Sequence, residues 1–310
     1  MKRYHALVPS YVIGITSAFL APIQDSWAVI LDSYFSNRIF KRITTLILLS
    51  STVNVVILPF VWLGGHPHLI PVKLVEIVVA ISLIEVLYQY PYYWSFRKAD
   101  TSVVTSLFSF GKIIVPVLAY FMVKERLSVI QYVGYFGITI GATLLAFDWR
   151  KFRFNQAAFL MLGVSAMLSL QGVLYKYCFE HGADWVTVLT WCSVIQLLLA
   201  GIFALGPTTR HDIGRTVTSF KYVGPLVILM QLLTWGGEAT ETYALSLIPA
   251  SVASGIDSTQ PIFVLAFAAL FVKKKPDLFR EQLEGGSLLK KVLLFVFMAV
   301  GTVLIALGGK

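Results

Sequence analysis

Charge is scarce in this sequence. Asp, Glu, Lys and Arg make up 13% of its 310 residues and hydrophobic residues 57%, against ~25% charged in a typical soluble domain. So apolar a chain has too little polar surface to cover a water-soluble globule. That excludes a soluble fold, and no region is polar or long enough to build a nucleic-acid-binding face. Cysteine is nearly missing. Cys178 and Cys192 both sit in or beside apolar runs, which excludes a disulfide framework and leaves them as packing residues. The histidines, His5, His66, His68, His181 and His211, show no metal-ligand spacing. There is no Ser-His-Asp, Cys-His or phosphate-loop arrangement, so an enzyme reading lacks a nucleophile, and neither cofactor nor metal is expected. No cleavable signal stands out either: residues 1–5 are short and basic, and the apolar run that follows is too long for a signal core.

Long apolar runs are what remains. A membrane-spanning helix needs ~20 mostly apolar residues. Ten candidates fit, at about 8–34, 42–63, 71–94, 102–122, 129–147, 156–178, 184–206, 222–245, 251–272 and 289–308. Connections are short. The two longest, about 207–221 and 273–288, are too small to fold alone. The expectation is an all-α membrane protein forming a single transmembrane domain over 1–310, its first span bending at Pro22.

The ten runs read as two sets of five. Shifted forward by 149, Ser102, Val103, Ser109, Ile113, Val115, Ala119, Val123 and Lys124 fall on Ser251, Val252, Ser258, Ile262, Val264, Ala268, Val272 and Lys273. The fifth run ends GATLLAF from Gly141, the tenth GTVLIAL from Gly301. Leu31-Asp32-Ser33-Tyr34 matches Leu174-Tyr175-Lys176-Tyr177. Repeat 1 therefore covers about 8–147 and repeat 2 about 156–308. Five crossings is an odd number, so the halves of such a 5+5 protein cross the membrane in opposite senses, and inverted repeats are a recurring design of secondary transporters.

Several charges lie deep in these runs: Asp25, Glu85, Lys112, Glu238 and Asp257. A charge at the bilayer centre costs at least ~3 kcal/mol, so such residues pair, face water or bind something. Helical spacing gathers them into stripes. The third run carries Glu85, Tyr88, Gln89 and Tyr92; the eighth carries Gln231, Thr234, Trp235, Glu238, Glu241 and Thr242. The fourth carries Thr105, Ser109 and Lys112, and the ninth Ser254, Asp257 and Ser258. Interhelical hydrogen-bond glue is the alternative reading of the hydroxyls. Lys112 and Asp257 are close enough in depth to form an ion pair. Glu85, Glu238 and Asp25 have no evident basic partner, and removal from water favours a carboxyl's neutral form; that suits proton coupling or a cationic solute. Neighbouring aromatics suit an ammonium group. The candidate substrate-binding or coupling set is Asp25, Glu85, Tyr88, Gln89, Tyr92, Lys112, Trp235, Glu238, Glu241 and Asp257. Asp32, Glu76 and Lys176 lie nearer the span ends and are read as snorkelling to water. Tyr93, Trp94 and Trp185 are read as interface anchors.

Residues 99–147 run ADTSVVTSLFSFGKIIVPVLAYFMVKERLSVIQYVGYFGITIGATLLAF. A small-residue helix start, an apolar helix, a Glu125-Arg126-Leu127 turn and a Gly-rich helix resemble the drug/metabolite transporter superfamily, EamA type. Residues 248–275 echo the pattern, with Lys274-Lys275-Pro276 in place of the turn. The resemblance implies a central cavity lined by helices 1, 3, 4, 6, 8 and 9, alternating access, and both termini in the cytoplasm. The charge tally disagrees on orientation: 17 of 25 Lys and Arg fall in the odd-numbered loops, which the positive-inside rule would make cytoplasmic.

The functional expectation is a metabolite transporter in the plasma (inner) membrane of a bacterium, working as monomer or homodimer. Its substrate is a small polar or amphipathic molecule, leaning to an amine-bearing one, either an organic cation or an amino-acid-like zwitterion. Protons are the first expectation for the coupling ion. A lipid-group flippase is the second transport reading, and a non-transporting sensor or scaffold the rival outside transport.

Overall fold

The computed structural model describes residues 2–98, 104–105, 107–108, 111–146, 156–271 and 288–308. All regular structure among them is helical. We number the helices α1 (Lys2–Tyr34), α2 (Ile43–Val61), α3 (Val72–Phe96), α4 (Val115–Val123), α5 (Val129–Ala146), α6 (Gln156–Glu180), α7 (Trp185–Gly201), α8 (Pro207–Leu247), α9 (Ala250–Asp257), α10 (Gln260–Phe271) and α11 (Leu288–Leu307). Among the described residues, four stretches are long and apolar enough to cross a membrane by themselves: Ser10–Ile39, Ile43–Gly64, Phe159–Glu180 and Trp185–Leu205.

Two expectations change. The stretch 207–221, read as a connection, is helical and continuous with the eighth run, so α8 has 41 residues. At 1.5 Å per residue that is about 60 Å, twice the hydrocarbon thickness. Its first turns dock on the start of α2 through Arg42 Nε to Asp212 Oδ2 at 2.9 Å and Thr44 Oγ1 to Thr209 Oγ1 at 3.2 Å. The ninth run is interrupted: α9 stops at Asp257 and α10 begins at Gln260. In the fourth run, a 3₁₀ turn over Lys112–Ile114 precedes α4. The connection 273–288 lies outside the described residues except for Leu288, which begins α11.

The packing has an internal exchange pattern. α1 lies along α8 as α3 lies along α6; α3 touches α7 as α2 touches α8; α1 touches α10 as α4 touches α6. α2 pairs with α7 and α5 with α11. Swapping the elements of the first repeat with those of the second maps each of these pairs onto another or onto itself, which is what a duplicated chain produces.

Apolar side chains face both ways. Phe35, Leu46, Ile47, Phe96, Met161 and Met230 fill one buried cluster; Ile81, Ala119, Ile138, Val173, Ile248 and Ile256 fill another. Val56, Phe60, Phe121, Val133, Leu198 and Val296 point outward. Such a surface is stable against lipid and not against water.

Backbone ends are closed from within. The Glu125 carboxylate accepts from Ala250 N at 2.8 Å and Ser251 N at 3.0 Å, capping α9. Lys124 ends α4 in the left-handed region at φ 57°, and Glu125 N returns to Ala119 O at 3.2 Å, a Schellman-type closure that turns Glu125 toward α9. Lys176, read as snorkelling, donates instead to Leu245 O at 3.1 Å and Ile248 O at 3.0 Å. The α8–α9 corner is thus held by Glu125 from the first half and Lys176 from the second.

α5 and α11 approach so closely that a Cβ on Gly134 would meet Gly301 O at 2.5 Å, whereas one on Gly137 would meet Phe297 Cζ at 3.6 Å. Gly134→Val should therefore lower thermal stability in detergent by several degrees, and Gly137→Ala should leave it within about a degree. Equal melting temperatures for the two variants would contradict this packing.

Candidate functional site

One cavity of about 200 Å³ lies at the seam of the two halves. Its walls belong to both buried clusters: Val29, Tyr92, Tyr93 and Phe108 to one, Val115, Tyr175, Leu245 and Ala250 to the other. Nine of the ten candidate residues reach it: Asp25, Glu85, Tyr88, Gln89, Tyr92, Lys112, Glu238, Glu241 and Asp257. Trp235 does not. It packs against Ile57, Leu58, Val61, Val186 and Leu189, and its indole Nε1 has no hydrogen-bond partner. Of the other residues in the stripes, Thr234, Gln231, Ser254 and Thr242 line the cavity, Thr105 and Ser258 are buried without lining it, and Ser109 lies outside the described residues.

Lys112 and Asp257 form an ion pair, each side chain about one-eighth exposed. Lys112 sits on the 3₁₀ turn and its carbonyl accepts from the Tyr135 hydroxyl. Asp257 is the last residue of α9, next to the helix break, and its Oδ1 has no hydrogen bond. The pair ties the 3₁₀ turn before α4 to the end of α9, joining the two repeats.

Glu85 is held without any cation. Tyr88 Oη donates to its Oε1 at 3.0 Å, Gln89 Nε2 to the same oxygen at 3.2 Å, and Gln171 Nε2 to Oε2 at 2.7 Å. Three neutral donors nearly fill a carboxylate's acceptor capacity. Glu238 is less occupied, accepting from Tyr175 Oη at 3.1 Å. Asp25 lies against α8, where a Cβ on Gly237 would strike its carboxylate and one on Gly236 would meet Gln24 Oε1 at 2.6 Å. The Gly236-Gly237 pair lets α1 and α8 close on each other and brings Asp25 into the same space as Glu238 and Glu241.

Sequence reasoning passed over several wall residues. Asp32, read as a span-end charge, is 4% exposed and accepts from Tyr92 Oη at 2.9 Å. Tyr93, read as an interface anchor, is buried and lines the cavity. Trp94 and Trp185 do not line it: Lys98 lies over the Trp94 ring, and Trp185 packs on Tyr243. Gln171 and Tyr175 on α6 and Ser50 and Asn54 on α2 also face the cavity. Each of these two pairs is spaced four apart inside an apolar run, the same signal that exposed the stripes on α3 and α8. The resemblance did not include α2 in the lining.

Breaking the central pair tests its character. Lys112→Met alone or Asp257→Leu alone should destabilise by about 3–5 kcal/mol, because each leaves one buried charge unpaired, while the double variant recovers most of the loss. Additive losses would mean that the two charges are solvated independently.

The model of the EamA-like transporter family matches this chain twice, over residues 12–147 and 155–307. No curated protein matches the sequence. A solved structure titled only as the crystal structure of a protein superposes with a TM-score of 0.63; it is 14% identical and the match covers 96% of each chain, a likeness of fold alone.

Proposed function

Because the chain belongs to the EamA-like transporter family, membrane transporters of the drug/metabolite type, we propose that it carries a small amine-bearing metabolite across the membrane by alternating access. The observation that carries this reading is the cavity at the seam. Six carboxylic acids and one lysine line it, with four tyrosines among them. Acids in excess over bases, walled by aromatic rings, suit an ammonium group through charge and cation–π attraction. An amino-acid-like zwitterion would use both signs, placing its carboxylate toward Lys112. The exchange pattern in the packing supports two halves of five membrane crossings each, in opposite senses, that rock about the bound solute.

Coupling falls to a carboxyl that has capacity to change its bonding. Glu238 fits better than Glu85, since one tyrosine hydroxyl holds it where three donors hold Glu85. A proton bound at Glu238 while the cavity faces one side and lost while it faces the other would link transport to the proton gradient across a plasma membrane.

Purified protein in proteoliposomes tests the class. Labelled amines should accumulate when a pH gradient is imposed. Movement of a labelled lipid headgroup and no solute would favour a flippase; specific binding with no movement of anything would favour a sensor. Glu238→Gln should reach near-normal expression and lose about tenfold or more of its gradient-driven uptake. Wild-type kinetics for that variant at every pH would remove Glu238 from the mechanism.

A further inference from the structure

Resting on the amine-solute reading above, we infer that the ammonium group is held at a pocket of unpartnered acceptors formed by Asp32, Asn54, Gln89 and Gln231, and that this pocket selects amines carrying N–H donors. The four side chains come from α1, α2, α3 and α8 and are 4%, 5%, 5% and 2% exposed. All four line the cavity. Each keeps one buried oxygen with no hydrogen bond: Asp32 Oδ1, Asn54 Oδ1, Gln89 Oε1 and Gln231 Oε1. Buried polar atoms are almost always satisfied, so four bare acceptors on residues that line one cavity point to a missing donor-rich group.

Each of the four has a partner at its other polar atom. Gln89 donates to Glu85, so its oxygen faces the other way; the flipped amide would set oxygen against carboxylate. Gln231 Nε2 donates to Ser50 Oγ at 2.6 Å, and Asn54 Nδ2 to Gln196 Oε1 at 3.4 Å. Asp32 uses Oδ2 to accept from Tyr92. The four form one neighbourhood: Ser50 lies one turn before Asn54, and Gln89 one turn before Tyr93, whose hydroxyl is near both Ser50 and Asp32.

A primary ammonium supplies three donors and a positive charge. The three amide oxygens take hydrogen bonds and Asp32 supplies the counter-charge. Glu85 is the poorer ligand despite its charge, because its lone pairs are already taken. A quaternary ammonium offers charge but no N–H, and would leave all four acceptors dry. Sites built around hydrogen bonds reject analogues that lack the donor.

Wild-type protein in nanodiscs separates these cases by calorimetric titration with n-butylammonium, butyltrimethylammonium and sodium chloride. We expect butylammonium to bind at least ~10-fold more tightly than its trimethyl analogue, and sodium chloride to leave its binding unchanged. Asp32→Asn and Gln231→Leu should each weaken butylammonium by ~10-fold or more. Equal affinity for the two organic cations overturns the donor requirement, and does so without any variant. Sodium binding that depends on Asp32 and competes with butylammonium makes this an inorganic-cation site and overturns the proposal. Butylammonium binding lost in Glu238→Gln but kept in Asp32→Asn leaves the amine reading intact and overturns the placement. No binding of either amine defeats the amine reading itself.

Discussion

Inside a bilayer, a polar group that finds no partner within the protein finds none at all. Five of the deep charges among the described residues answer that constraint in one of two ways. Lys112 and Asp257 meet each other across the seam. Glu85, Asp32 and Glu238 are instead held by tyrosine hydroxyls and glutamine amides. The two solutions differ in consequence. An ion pair returns little net stability for its desolvation but penalises any arrangement that separates its members, so it fixes how the halves sit. A carboxylate held by neutral donors can exchange them singly as a helix turns or a solute arrives. The rigid element and the adaptable elements therefore share one cavity.

The same constraint explains the backbone. α9 and α10 part at the point where Asp257 must project, and the break would leave carbonyls bare at membrane depth. Ser258 Oγ returns to Ser254 O at 2.9 Å, Thr259 Oγ1 to Ile256 O at 2.7 Å, and Ser26 Oγ crosses from α1 to Gln260 O at 3.0 Å. Hydroxyl residues at a helix interruption do the work that water does in a soluble protein. At the α8–α9 corner the same task falls to charged side chains, Glu125 on the amides and Lys176 on the carbonyls. Glu125 belongs to the turn that made the family resemblance legible, so that motif is a cap joining the first half to the second.

Much of this was readable because lipid punishes error so heavily. A glutamate in an apolar run such as 71–94 has few destinies, and periodicity alone carried Glu85, Tyr88, Gln89 and Tyr92 to one face. What the sequence hid was depth and direction. Asp32 stands near the end of its apolar run, which suggests an escape to water; the π-helical turn at Phe35–Ile39 prolongs the helix beyond it and buries it. Trp235 has the right spacing for the α8 stripe, yet the stripe is wider than the cavity and Trp235 falls on its apolar flank. The segment 207–221 is polar enough to pass for a loop, but a helix emerging from the apolar region needs no apolar residues to continue, so composition could not reveal it.

The duplication preserved packing while letting the chemistry drift. Asp32 and Tyr175 occupy matching places in the Leu31–Tyr34 and Leu174–Tyr177 segments. In the first half the acid is on α1 and its tyrosine on α3; in the second the tyrosine is on α6 and its acid on α8. Donor and acceptor have exchanged helices. A strictly symmetric cavity would present the same groups to a solute from either end and would hold it in two equivalent poses. Here the region around Glu85 is filled with donors, while the region around Asp32, Asn54 and Gln231 has acceptors to spare. A polarised pocket therefore sits inside a frame whose packing is repeated. The packing is common to both repeats, and the polarity of the groups along the cavity is not.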